Sequence, residues 1–355
     1  MDENQNWTNE IALAFRNIRE LYQFLDWPLS EEIEEVSKKY PIFITRSLAI
    51  KIKQDGPNGV LAREFIPVKF EMAENGLIDP IGDKIYLRAP QLIHRYSSRV
   101  LFTPTTICPV HCRYCFRKNE LSVNDELFQN DFKKTLEYLS NHLEISEIIF
   151  TGGDPLTLSN EKIEKYLLAF SKIDHIKDIR FHSRYPVILP ERIDDGFLSL
   201  LNKFSSHFRT ISIAIHANHV LEFDDFSIKK INEIAKLKVQ LLSQTVLLKG
   251  VNDNSKDLLD LFETFINNGI RPYYLHHTDR VRGGMHFYLP LQRGREIYQT
   301  LRKKLPGWAI PQYIIDIPGG HGKVPAYNPE TPHFSGNLIG KDGEVVSEPE
   351  PDFFI

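Results

Sequence analysis

Glu147-Ile-Ile-Phe-Thr-Gly-Gly-Asp154, followed by Ser159-Asn-Glu-Lys-Ile-Glu-Lys-Tyr-Leu-Leu-Ala-Phe-Ser-Lys172, reads as one β-strand and one helix. The first run is short, β-branched and aromatic, and it ends in glycines. The second places Ile163, Tyr166, Leu167 and Phe170 on one helical face. The unit recurs. Strands are predicted at Val100–Thr105, Glu147–Thr151, Asp178–Ser183, Thr210–His216, Val239–Leu248 and Pro272–His277. Helices are predicted near 126–142, 159–172, 191–204, 225–236, 255–268 and 291–304. Such βα alternation implies an α/β protein with a parallel sheet and helices packed outside it. Six units fit an open or partial (β/α)6 barrel better than a doubly wound sheet. Thr151–Asp154, His182–Arg184, His216, Ser243-Gln244 and His276-His277 all fall at predicted strand C-termini, where parallel α/β folds assemble their sites.

Outward from this repeat, residues 1–90 read as a mainly helical cap, 91–310 as the partial barrel and 311–355 as a C-terminal segment. Asn9–Leu25 carries apolar residues at helical spacing and is predicted as one helix, and Ser30 followed by Glu31 and Glu32 is a helix start. Gly82-Asp83 marks a loop. The 355 residues hold 43 Lys+Arg and 47 Asp+Glu, a net charge of −4, so no bulk basic field attracts nucleic acid. The acidic, polar N-terminus lacks a signal peptide's pattern, and no apolar run is long enough for a membrane span. The expected compartment is cytoplasmic.

The three cysteines all lie in Cys108-Pro-Val-His-Cys112-Arg-Tyr-Cys115, directly after the first predicted barrel strand. An odd, clustered set is a poor disulfide framework and a good metal or cluster site. Three thiolates leave one iron of a [4Fe-4S] cluster open, and Cys-x3-Cys-x2-Cys with an aromatic residue before the last cysteine is the radical S-adenosylmethionine (SAM) signature. A zinc site completed by His111 is the alternative, although no second ligand knuckle exists. Thr151-Gly-Gly-Asp154 could let backbone approach a ligand and present a carboxylate to an ammonium, or could be a tight turn capped by Asp154. Lys323, in Pro318-Gly-Gly-His-Gly-Lys323, could join pyridoxal 5′-phosphate (PLP) or be an ordinary surface lysine. Adjacent His276 and His277 point to opposite faces of a strand and carry no metal role.

Taken together, these segments resemble the lysine 2,3-aminomutase family, PLP-dependent radical SAM enzymes. The resemblance runs in order through His94-Arg-Tyr-Ser-Ser-Arg99, the cysteine motif, Thr151–Leu156 and Ser183-Arg-Tyr-Pro-Val187. It continues through Gln244–Asp253, Arg271-Pro-Tyr-Tyr274 and Pro318–Lys323. It implies that Cys108, Cys112 and Cys115 hold the [4Fe-4S] cluster, and that Thr151, Gly152, Gly153, Asp154, His216 and Gln244 bind SAM. It further implies that Lys323 is the catalytic PLP lysine and that Arg95, Tyr96 and Arg99 clamp its phosphate, as guanidinium forks suit phosphate. Arg117 would pair with the substrate carboxylate, and Asp279 and Asp316 with a distal ammonium.

The reaction so implied is an isomerisation in which the amino group of L-lysine migrates from the α- to the β-carbon, giving β-lysine. A reductant such as flavodoxin or ferredoxin is expected, and a homo-oligomer is compatible with the resemblance. The short C-terminus and Tyr274-Leu-His-His-Thr-Asp279 lean towards the branch that serves elongation factor P β-lysylation, whereas Pro318–Lys323 is closer to the free-lysine enzymes. The contrasting reading is a non-catalytic iron–sulfur or zinc-binding protein, for which Lys323 and the aspartate pair would be unnecessary.

Overall fold

Strands buried on both faces must be apolar nearly throughout, and the central strands of this chain are. The computed structural model describes residues 7–119, 131–327 and two short strands at 338–339 and 345–346. Five helices come first: α1 (Trp7–Ala12), α2 (Ile18–Leu25), α3 (Glu31–Lys39), α4 (Arg46–Asp55) and α5 (Val60–Phe65). One sheet follows, with strands β1 (Leu87–Ala89), β2 (Leu92–Tyr96), β3 (Arg99–Thr105), β4 (Glu147–Gly152), β5 (Asp178–Ser183), β6 (Thr210–His216), β7 (Gln240–Leu247), β8 (Arg271–His277), β9 (Gln312–Ile317) and β10 (Gly322–Pro325). They neighbour one another in chain order. β3 to β9 run parallel, while β1, β2 and β10 are antiparallel to their neighbours. The connecting helices are α6 (Phe132–Asn141), α7 (Asn160–Phe170), α8 (Tyr185–Ile188), α9 (Asp195–Phe204), α10 (Asp225–Ala235), α11 (Ser255–Asn267) and α12 (Leu291–Lys304).

The α/β sheet with six βα units is as expected, and it is not closed by strand pairing. A further parallel strand, β9, follows the sixth helix, and Lys323 lies on β10 rather than on a loose glycine loop. The predicted helix near 126–142 is seen as α6, with residues 126–130 outside the described residues. The single helix expected over Asn9–Leu25 is two. Phe15 exchanges backbone hydrogen bonds with Ile44, and Asn17 caps α2 by accepting from the Arg19 amide. Side-chain periodicity continued across this break because Ile11 of α1 packs, partly buried, on the same core as Ile18, Leu21, Tyr22 and Leu25 of α2. Ser30 caps α3 through the Ile33 amide, as its position suggested.

Although the outer strands do not pair, side chains and loops bring the two edges of the sheet together. The Tyr86 hydroxyl donates to the Gly320 carbonyl (3.1 Å), and the Lys323 amide donates to the Tyr96 hydroxyl (2.7 Å). Gly82, with φ +67°, sits so close that a Cβ there would meet the Gly320 backbone nitrogen at 2.4 Å. The sheet therefore curls round an interior. The apolar side chains of the N-terminal helices and of the sheet form one continuous core. Among the described residues no helix is long and apolar enough to cross a membrane.

Alternation along β3 divides its residues between the two sides. Leu101 faces the interior cavity, whereas Phe102 points to the helices and packs edge-on against Phe150, Tyr166 and Phe170 at ring-centroid distances of 5.3, 5.0 and 5.5 Å. Phe102→Ala should lower the unfolding free energy by about 3–5 kcal/mol, the usual cost of an aromatic-sized core cavity. Chemical denaturation would measure it, and a loss below about 1 kcal/mol would mean that the helices collapse into the space.

Candidate active site

One cavity of about 230 Å³ lies inside the curl, reaching the C-terminal ends of the strands. The residues to which the resemblance assigns a role all line it: the three cysteines, Thr151–Asp154, Arg95, Tyr96, Arg99, Arg117, His216, Gln244, Asp279, Asp316 and Lys323. His182, Ser183, Arg184 and His276 line it too, whereas Ser243 and His277 do not. His277 turns outward to hydrogen-bond the Tyr313 hydroxyl at 2.7 Å, as strand alternation requires.

The cysteine loop leaves β3 and is fastened to the N-terminal helices. Arg113, almost fully buried, makes a forked ion pair with Glu71, which also accepts from Lys118 (2.9 Å). The Arg113 amide donates to the Glu64 carbonyl, and His111 donates its amide to Phe43. The His111 ring lies against Phe43, with Nδ1 3.0 Å from the Pro41 carbonyl oxygen. That anchoring turns the proposed zinc ligand towards the N-terminal segment. Among the described residues, no three His, Cys, Asp or Glu side chains are grouped to hold a single metal ion. Burial and then the neighbouring cysteine push Cys115 up to about 11, and Cys108 and Cys112 are raised as well. A trio that resists ionisation unaided needs a bound metal to become thiolates. The Arg184 guanidinium also donates to the Cys112 sulfur (3.0 Å) and is balanced by Glu222 and Glu64.

The Gly152-Gly153 turn seals the β4 end against this loop. The Gly153 and Asp154 amides donate to the carbonyls of Thr105 and Ile107, both at 2.8 Å. A Cβ on Gly153 would lie 2.4 Å from the Ile107 oxygen, so only glycine fits. The Asp154 carboxylate caps the turn that follows by accepting from the Leu156 amide. It also accepts from the Ser183 hydroxyl (2.8 Å) and the Arg184 amide (2.7 Å), tying β4 to β5. Burial still pushes its acid up to about 6. The motif is thus a tight turn capped by Asp154, and it lies on the wall of the cavity.

Across the cavity runs a chain of buried charges. Arg117 pairs with Asp83 (2.5 Å), Asp83 with Arg95, Arg95 with Asp316 (3.0 Å), and Asp316 with Lys323. Asp316 and Lys323 stand directly opposite on β9 and β10, which puts both side chains on the same face. Burial alone would lower the Lys323 ammonium; Asp316 overcomes it and holds the group above its ordinary range. Asp279, just past β8, is pushed up to about 7 by burial and then by Asp316. Asp83 escaped the sequence reading because Gly82-Asp83 has the composition of a turn; only its two arginine partners reveal its role.

Polar atoms remain for a ligand. Gln244 Oε1, His182 Nε2, His276 Nε2 and Arg95 Nε are buried without a hydrogen-bond partner. His216, 3.2 Å from the Tyr114 hydroxyl, is held well below its usual range by burial and by Arg184. The wall nearest the cysteines therefore offers neutral donors and acceptors, and the Lys323 wall offers charges.

Residues 102–262 match the model of the Radical SAM superfamily. The L-lysine 2,3-aminomutase of Haemophilus influenzae is 31% identical, over 91% of this chain and 96% of its own length. That of Escherichia coli is 30% identical over 90% and 94%, and that of Methanococcus maripaludis is 32% identical over 90% and 76%. The chain belongs to the lysine 2,3-aminomutase family. It is a radical SAM aminomutase, and so an isomerase. Among solved structures, Streptococcus suis SuiB bound to S-adenosylmethionine superposes on 65% of this aminomutase and 52% of its own chain, at a TM-score of 0.46 and 16% identity.

In this aminomutase Asp83 balances two arginines that are otherwise buried together. Asp83→Asn should cost about 3–5 kcal/mol, because it leaves buried charge uncompensated. Urea unfolding of the cofactor-free protein reads this directly. A change within 0.5 kcal/mol, the usual range for a surface substitution, would show that water already neutralises the pair.

Proposed function

We propose that this aminomutase converts L-lysine to β-lysine, with a [4Fe-4S] cluster on Cys108, Cys112 and Cys115, SAM beside it, and PLP on Lys323. The observation that carries the reading is the charge pattern of one cavity, which is lined by an arginine, Arg117, and by two carboxylates, Asp279 and Asp316. A substrate with one carboxylate and a second, distal ammonium answers that pattern, since a buried charge without a partner is costly. When bound, the cluster and SAM supply the radical that takes hydrogen from the β-carbon, and PLP supplies the conjugated system over which the nitrogen moves.

The protein's part is to bind, orient and exclude water. Arg95, Tyr96 and Arg99 lie together on β2 and the start of β3, and suit a phosphate. Arg117 lines the same cavity, and a guanidinium fork suits a carboxylate. Asp316 holds the proton of Lys323 at Nζ and is the adjacent acceptor when that nitrogen must be freed. Asp316 then exchanges one cation for another, the lysine ammonium of the protein for that of the substrate. Gln244, His216 and the Thr151–Asp154 turn line the cysteine side, where SAM would lie.

Anaerobic reconstitution with iron and PLP, then addition of SAM, a reductant and L-lysine, should yield 5′-deoxyadenosine and β-lysine. Deoxyadenosine without β-lysine would refute the substrate, and neither product would refute the reading as a whole. Lys323→Ala should lose the PLP absorbance and keep the cluster spectrum.

Substrate binding should also release protons. An arriving ammonium lowers the Asp279 pKa from about 7, so at pH 7 roughly half a proton leaves per lysine bound. Release should approach one proton near pH 6 and vanish near pH 9. Calorimetry of the PLP-loaded protein without reductant, in buffers of different ionisation enthalpy, measures this. Asp279→Asn should abolish it.

A further inference from the structure

A second cavity, of about 560 Å³, opens at the opposite, N-terminal mouth of the parallel strands. That volume falls in the range of small-molecule sites, roughly 300–1,000 Å³. Closed barrels fill this level with apolar side chains. Here the lining is Arg99, Arg180, Arg209 and Arg271 with Glu147 and Asp178, together with polar and aromatic side chains. Both carboxylates are already paired, Glu147 with Arg180 (3.1 Å) and Asp178 with Arg209. Among the described residues Arg99 and Arg271 have no carboxylate partner; Arg99 instead lies over the Tyr96 ring, 3.9 Å from its centroid. The mouth therefore carries uncompensated positive charge.

Three residues, Arg99, Arg180 and Tyr274, line both this cavity and the active-site cavity. These three residues therefore stand where the two adjoin. Arg180 is held by the Tyr273 hydroxyl (2.9 Å) and by Glu147, and its buried Nε has no partner. It is a fixed guanidinium with one donor unspent between the two chambers. At the other end of the active-site cavity the cysteine loop is bolted to the N-terminal helices by Arg113, Glu71 and Lys118. A molecule arriving there would have to pass the cluster ligands.

We propose that the arginine-lined cavity at the N-terminal mouth is the route by which PLP, a phosphorylated aldehyde, reaches Lys323. This rests on the PLP reading above. The positive mouth concentrates a phosphate dianion, and Arg99 and Arg180 mark the point where its phosphate meets the inner cavity. The resident cofactor then loads from the end of the cavity away from the cysteines.

The test follows PLP loading and not turnover. Cluster-reconstituted, PLP-free full-length protein is mixed with PLP in a stopped-flow instrument, and the absorbance band of the Lys323 adduct is timed. Arg271 is exposed, so Arg271→Glu should fold normally. Its loading rate constant should fall about tenfold at low salt, with the gap closing as salt is added and with an unchanged final band. Pyridoxal, which lacks the phosphate, should load Arg271→Glu and the unaltered protein at the same rate. Arg293→Glu reverses an exposed charge at the start of α12, on the cysteine side, and should leave PLP loading unchanged. A PLP rate indifferent to Arg271→Glu, or slowed equally by Arg293→Glu, overturns the route alone. No band in the unaltered protein overturns the PLP reading and the route with it.

Discussion

The architecture depends on a line of buried charge. Arg117, Asp83, Arg95, Asp316 and Lys323 are joined in sequence across the interior, drawing on the cysteine loop, the segment before β1, then β2, β9 and β10. Those elements belong to opposite edges of a sheet that does not close by strand pairing. Backbone hydrogen bonds would have sealed the interior. Side-chain ion pairs keep the edges together while leaving groups that a ligand can claim. Buried ion pairs seldom add net stability over apolar packing. Their presence here is better explained by what must bind among them than by what they contribute to folding.

Seen this way, the cavity has two electrostatic halves built by different devices. Near the cysteines, burial keeps thiols protonated and histidines neutral, and the Arg184 guanidinium is paired with Glu222 and Glu64. Near Lys323 the charges are explicit and mutually paired, apart from the Asp279 acid that burial and Asp316 hold near neutrality. A positively charged cluster core would complete the first half. A substrate cation would complete the second, by letting both aspartates ionise together.

Much of this was legible in the sequence, for physical reasons that can be named. Period-two and period-3.6 patterns are local, so the β3–β8 strands and most of the connecting helices could be read directly. Polar residues at strand ends converge because parallel strands share a direction, which is why His216 and Gln244 fall on one wall. What escaped was non-local or masked by continuity. The break between α1 and α2 depends on Phe15 pairing with Ile44 and on the Asn17 cap. β9 and β10 follow the last βα unit and obey no repeat. Asp83 needed its arginines, which lie 12 and 34 positions away, before it could be recognised. The roles of Asp154 and Gly153 were half visible: the turn was clear, but not that it locks β4 onto the cysteine loop and β5.

An open sheet has a further consequence that a closed barrel lacks. In a closed barrel, inward side chains pack the N-terminal mouth and the site is reached from one end. Here the inward layer at that mouth is arginine, tyrosine and glutamine, and it meets the inner cavity at Arg99, Arg180 and Tyr274. Arginine at that level is a poor core residue unless something anionic or aqueous shares the space. The same substitution of charge for apolar packing that stitches the sheet's edges thus recurs at its base. Both follow from one requirement: an interior that must hold charged ligands at fixed positions has to be built from groups able to let those ligands in.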